Sequence, residues 1–230
     1  LMANLFSEST YHYNSGGDPA DIPDLSYAEL KQFYQTHYHP SNAVFMSFGR
    51  HDVNALHQQL EEQALAKFQA GKALSSQIEP NRTAPKTVVE SYPVDHDDLK
   101  DKTFHALSWL LPSIDDIQLW FGFKLIGGVL LENSSSPLSH YLESCGYAQS
   151  SGPILGLNDQ NLQMLFTCGV QGSNPEFAEK FQTDVLDILK QVASQPVEKE
   201  LIDALLHQIE FYQREINAGG MPYGLNLMFE

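Results

Sequence analysis

Residues 11 to 49, YHYNSGGDPADIPDLSYAELKQFYQTHYHPSNAVFMSFG, decide how the rest of the chain is read. Gly16-Gly17-Asp18-Pro19 is a turn signal, because glycine accepts positive φ and proline fixes its own. Asp18 is expected to bond nearby backbone amides and hold that turn. Ser26 and Glu29 have capping-box spacing, with Leu25 and Leu30 at the staple positions. Leu30, Phe33, Tyr34 and Tyr38 fall on one helical face. Pro40 cannot continue a helix and disfavours the α conformation at His39, which predicts a stop near Tyr38. Ala43 to Phe48, closed by Gly49, is a short apolar run that predicts a buried strand.

The segments TYHYNSGGDP, IPDLSYAELKQFYQTHYHPSNA and the closing FG resemble the presequence-protease branch of the pitrilysin/insulinase zinc metallopeptidases. The resemblance rests on Gly16, Gly17, Asp18, Pro19, Tyr38, His39, Pro40, Asn42 and Gly49, for which it implies a structural role. It is dense over about 40 residues, and from Val53 onward it is one of layout. The family's zinc site is an H-x-x-E-H helix plus a distal glutamate, and no H-x-x-E-H occurs in this sequence. In the family those ligands precede the Gly-Gly-Asp-Pro turn. The resemblance therefore implies an internal piece of a larger peptidase, with no catalytic and no metal-ligating residue of its own. The intact protein is expected to use zinc to polarise a scissile carbonyl and a glutamate to take a proton from water.

Composition sets the outer bounds. The 230 residues, 42% hydrophobic and 18% charged, describe a globular chain long enough for a core. The longest uncharged apolar run, Leu125 to Leu131, is too short for a bilayer, so no membrane partner is expected. The net charge of −16 argues against nucleic acid as a partner, since phosphate binding needs clustered Lys and Arg. It divides as −5 up to residue 70 (3 basic, 8 acidic) and −11 beyond it (10 basic, 21 acidic), so neither part is basic. Cys145 and Cys168 have no C-x-x-C spacing, which indicates neither a zinc knuckle nor a disulfide framework and fits a reducing compartment.

Asp52 is predicted to cap a helix carrying Val53, Leu56, Leu60, Ala64 and Phe68. From Ala70 to Pro85 large apolar residues thin out among Gly71, Ser75, Ser76, Pro80 and Pro85, which reads as a linker. Lys86–Val94 and Thr103–Leu111 read as strands around an acidic turn. Asp115–Glu132 reads as a mostly buried helix that tolerates Gly127-Gly128 if another element packs closely there. A short helix follows from Ser136-Pro137 to Gly146. Tyr147–Pro153 and Leu162–Val170 form a predicted hairpin, whose second arm turns Leu162, Met164, Phe166, Cys168 and Val170 one way. Two long helices complete the pattern, one with Phe177, Phe181, Val185, Ile188, Leu189 and Val192. The other carries Leu201, Leu205, Ile209, Tyr212 and Ile216 and ends at Gly219-Gly220.

Other chemistry is weakly represented. His37, His39, His51 and His57 are the best local metal candidates, but their spacing does not force convergence. His207 and Glu210 lack the second pair and extra glutamates of a di-metal bundle. His140 and Cys145 fall on different faces of a short helix, and Cys168 sits in an apolar strand face that leaves its thiol inert. The fold class expected is α+β, in two sheet-plus-helix lobes of which the first is truncated. Residues 1–70 are the C-terminal part of a catalytic-type domain, 71–85 a linker, and 86–230 most of a second, non-catalytic domain. The function expected is scaffold and chamber wall in a zinc endopeptidase that degrades short unfolded peptides. This piece then carries no zinc, and its partner is the remainder of its own chain. A naturally inactive binding or assembly module is the alternative, and a dimer of the isolated piece stays open.

Overall fold

The alternating run near Leu162–Val170 becomes the strand around which the second half is built. In the computed structural model, which describes residues 1–95, 97–214 and 220–229, the helices are α1 (Met2–Leu5), α2 (Tyr27–His37) and α3 (Val53–Gln63). They continue with α4 (Ile117–Leu131), α5 (Pro137–Ser144), α6 (Ala178–Ala193), α7 (Lys199–Arg214) and α8 (Tyr223–Phe229). The strands are β1 (Thr103–Ser113), β2 (Ser150–Ser151), β3 (Gly156–Asn158) and β4 (Gln163–Ser173). β4 is central: β1 lies antiparallel on one edge, and β2 and β3 pair with the other. The architecture is α+β.

Two compact units divide the chain. One is Leu1–His12 with Gln77–Tyr212, the other Tyr13–Ser76 with Gln213–Glu230. The first has a core. Phe166, Cys168 and Val170 of β4 pack with Leu130, Leu138, Leu142, Phe181 and Val185 from α4, α5 and α6. Leu107 and Trp109 of β1 stand opposite Cys168 and Phe166 and extend this layer. The opposite face of β4 presents Leu165 to Leu5 and Phe6. At Gly169 an added Cβ would stand 2.6 Å from the His105 carbonyl oxygen, so only glycine lets β1 approach. At Gly128 it would meet Leu205 at 2.8 Å, so α7 supplies the close packing that the paired glycines of α4 require.

The second unit is locally well specified. Glu29 N donates to Ser26 Oγ at 3.3 Å and Ser26 N to Glu29 Oε2 at 2.8 Å, closing the capping box of α2. Asp52 caps α3 through the amides of Asn54 and Ala55. Yet no side chain from Tyr13 to Ser76 is buried. Leu30 and Tyr34 are each 60% exposed.

Several expectations change. Ala43–Phe48 forms no strand, and Val44, Phe45 and Phe48 are exposed. An apolar run needs neighbours to become a strand, and this unit provides none. Lys86–Val94 likewise has no strand pairing. The first hairpin arm shrinks to Ser150–Ser151, because Gly152 and Pro153 interrupt it. The boundary between the two units, Ser76/Gln77, falls within 71–85, and Glu79 and Arg82 beyond it bond Ser7 and Leu5 of the first unit. Ile216 and Gly219 lie outside the described residues.

Candidate functional site

The motif residues form two turns of the second unit. At Asn14–Ile22, Gly17 N donates to Asn14 O at 2.9 Å with Gly17 at φ +79°. The Asp18 carboxylate accepts from Ala20 N at 2.9 Å, and its carbonyl accepts from Asp21 and Ile22. With its carboxylate committed to the turn, Asp18 is a poor general base.

The second turn ends α2 and holds residues 71–74. The side-chain amide of Asn42 donates to the carbonyls of Thr36 and His37, and its Oδ1 accepts from Leu74 N at 2.8 Å. Ser41 Oγ accepts from Gly71 N at 2.9 Å. His39 Nδ1 accepts from Ser41 N at 3.2 Å, and its ring meets Phe68 edge-on at 5.3 Å. Tyr38 stacks on Tyr34. Gly49 adopts φ +139°. The stop is a bracket in which two polar side chains satisfy backbone groups of a distant segment.

The candidate histidines are engaged elsewhere. His37 stacks on Phe33 at 4.1 Å, His39 has its Nδ1 occupied, and His51 Nε2 bonds Ser47 Oγ. Among the described residues no three His, Cys, Asp or Glu side chains come together as a metal site. His207 and Glu210 make one exposed ion pair at 3.8 Å. Burial pushes the Cys168 thiol up to about 12, which suppresses the nucleophilic thiolate. Cys145 caps the C-terminus of α5.

Two polar clusters carry no local sequence signal. Glu79, 2% exposed, accepts from Ser7 N at 2.6 Å, from Glu8 N at 3.0 Å, from Ser9 N at 3.2 Å and from the Ser7 hydroxyl. Burial pushes its carboxyl up, but the bonds from Ser7, Glu8 and Ser9 outweigh it and lower the pKa to about 2. Arg82 donates to the carbonyls of Asn4 and Leu5 at the end of α1. In the second cluster the Tyr141 hydroxyl bonds that of Tyr147 and donates to Asp184 Oδ2 at 3.0 Å, which also accepts from Lys180 at 2.7 Å. Burial, then these bonds and the nearby Asp184 charge, raise the Tyr141 pKa. Glu79 lies 70 or more residues from its partners, beyond the reach of any spacing rule.

Residues 24–209 match the peptidase M16 inactive domain. Presequence protease 1, chloroplastic/mitochondrial, of Arabidopsis thaliana is 34% identical over 98% of this chain and 21% of its own length. The mitochondrial presequence protease of Yarrowia lipolytica is 35% identical over 94% of this chain and 22% of its own. Protein HypA of Clostridium perfringens is 28% identical over 98% and 23%. The chain thus spans about a fifth of the length of the curated relatives it matches. The fold is shared with a peptidase M16 inactive domain from Pseudomonas fluorescens, at a TM-score of 0.63 and 20% identity over 94% of this chain and 50% of that one.

Proposed function

The chain belongs to the peptidase M16 inactive-domain family, and we propose that it is an internal, non-catalytic portion of a zinc metalloendopeptidase of the presequence-protease kind. One observation carries this reading: the unit Tyr13–Ser76 has precise local structure and no buried side chain. An amphipathic helix draws most of its stability from burying its apolar face. Leu30, Phe33, Tyr34 and the run Ala43–Phe48 are exposed here, so the unit by itself leaves apolar faces for further polypeptide to cover.

In this reading residues 1–70 complete a catalytic-type domain, 71–85 is the passage, and 86–230 is most of a second domain that walls a closed chamber. Short unfolded peptides are degraded there. In this reading zinc is held outside these 230 residues. The motif residues Gly16, Gly17, Asp18, Pro19, Tyr38, His39, Pro40, Asn42 and Gly49 are structural: they shape the turn and the bracket that present α2.

The test is zinc content and cleavage of a short unfolded peptide, measured on the chain alone and joined to the residues that precede it in its parent. The joined protein is expected to bind zinc and cleave, and the chain alone to do neither. One tightly bound zinc per isolated chain, with cleavage, would overturn the proposal. A joined protein that neither binds nor cleaves would make it a naturally inactive binding or assembly module.

A further inference from the structure

Ser7, Glu8 and Ser9 turn three consecutive amides towards one carboxylate. Ser7 N and Ser7 Oγ donate to Glu79 Oε1, and Glu8 N and Ser9 N donate to Oε2. Among the described residues no cation pairs with Glu79, so dipoles alone hold its charge. Successive main-chain N–H groups that converge in this way make an anion-binding nest. We propose that Ser7–Ser9 is a preformed cradle for a small oxyanion, that Glu79 occupies it as an internal ligand, and that a tetrahedral ion such as phosphate fits it better than a carboxylate.

The cradle is built independently of its occupant. Bonds in which the Glu79 side chain takes no part fix the chain on both sides of it. Phe6 N donates to Met2 O and His12 N to Ser9 O, while His12 Nδ1 bonds the Phe6 carbonyl at 2.9 Å. Arg82 holds the carbonyls of Asn4 and Leu5. Phe6 is fully buried, with its ring 5.1 Å from that of Tyr11. The main chain at Glu79 is anchored separately, by its two bonds to the Gln163 side chain. Removing the carboxylate alone therefore leaves both walls standing. Ser7 and Glu8 are exposed, which gives a dissolved ion a way in.

The tetrahedral preference comes from Ser9. A carboxylate offers about four lone-pair sites, and the four donors above fill them. Ser9 is 4% exposed, and its Oγ is left buried without a hydrogen-bond partner. An unpaired buried hydroxyl is costly. A tetrahedral ion brings a further oxygen, and so an acceptor for Ser9 Oγ that a planar carboxylate lacks.

The test is Glu79→Ala in the 230-residue chain, titrated at constant ionic strength with phosphate or formate against chloride. At pH 6 both ions are mostly singly charged, so shape and not charge is compared. The amide shifts of Ser7, Glu8 and Ser9 are expected to move saturably, with phosphate binding about fivefold tighter than formate, the equivalent of one further hydrogen bond. Adding Ser9→Ala to Glu79→Ala should abolish that preference. Glu79→Gln, whose side chain still fills the cradle, should show only the general effect of salt. Should Glu79→Ala be unfolded in chloride, recovery of its near-ultraviolet circular dichroism is read instead, with the same order expected. No saturable response to either ion, or an equal response in Glu79→Gln, would overturn the cradle. Formate binding as tightly as phosphate would overturn the tetrahedral preference. The result does not depend on the peptidase reading.

Discussion

Glu79 and Gln163 exchange two hydrogen bonds: Glu79 N donates to Gln163 Oε1 at 2.7 Å, and Gln163 Nε2 donates to Glu79 O at 3.1 Å. The side-chain amide of the first residue of β4 thus imitates a strand partner for the main chain at Glu79. The Glu79 carboxylate meanwhile gathers the amides of Ser7, Glu8 and Ser9. Three segments far apart in sequence are joined at one residue.

Glu79→Gln keeps the shape but removes the charge and one acceptor oxygen. Buried amides left without a partner cost about 1–3 kcal/mol. Urea unfolding of the first unit should show a loss of that size, and unchanged stability would mean that the clip is idle.

The same residue sets an acid response. Its folded pKa, about 2, lies below the ordinary 4.5, so its contribution is complete above about 4.5 and lost as pH falls towards 2. Other carboxylates also titrate in that window, so the informative quantity is the stability difference between the native chain and the Glu79→Gln variant. That difference should shrink on acidification from pH 5 to pH 2.5, and a constant difference would contradict it.

The two units should answer truncation differently. Phe181→Ala or Leu142→Ala removes a core side chain and should cost about 2–5 kcal/mol. Phe33→Ala or Leu30→Ala in the isolated chain should change stability by less than about 0.5 kcal/mol, since both are exposed. A large loss at Phe33 in the chain alone would show that the α2 face is already covered.

Thiol labelling should separate the cysteines. Cys145 is half-buried, while Cys168 is buried with its thiol pushed up to about 12. At pH 8 an alkylating reagent should modify Cys145 in the folded chain and reach Cys168 only on unfolding, as mapped by peptide mass. Equal rates would place Cys168 elsewhere than in the core.

Asn42→Ala removes bonds to Thr36, His37 and Leu74 at once. Faster amide exchange is expected at Leu74 and little change in β1 or β4. Protection spread evenly across the chain would argue against a local bracket.

Local rules carried the sequence reading where the forces are local. Ser26 and Glu29 stand three apart, so their capping box was legible, as were the Pro40 stop and the existence of β4, although β4 is buried on both faces and not on one alone. The Tyr38–Asn42 stop was recognised, but its grip on Gly71 and Leu74 was not, since nothing in the spacing links positions 30 residues apart. Strand character was misjudged at Ala43–Phe48, because an apolar run becomes a strand only when a neighbour supplies its hydrogen bonds.

The α+β class, the capping-box start and Pro40 stop of α2, the Asp52 cap of α3, the inert strand cysteine and the lack of an H-x-x-E-H were determined by the sequence alone. Tertiary structure alone decided that Glu79 and Arg82 belong to the first unit, that Leu1–His12 packs there, and that the β1 edge is left unpaired by β4. The physical reason is range. Caps and periodicity act within a few residues, whereas a buried carboxylate or an open edge is defined by whichever segments folding brings beside it.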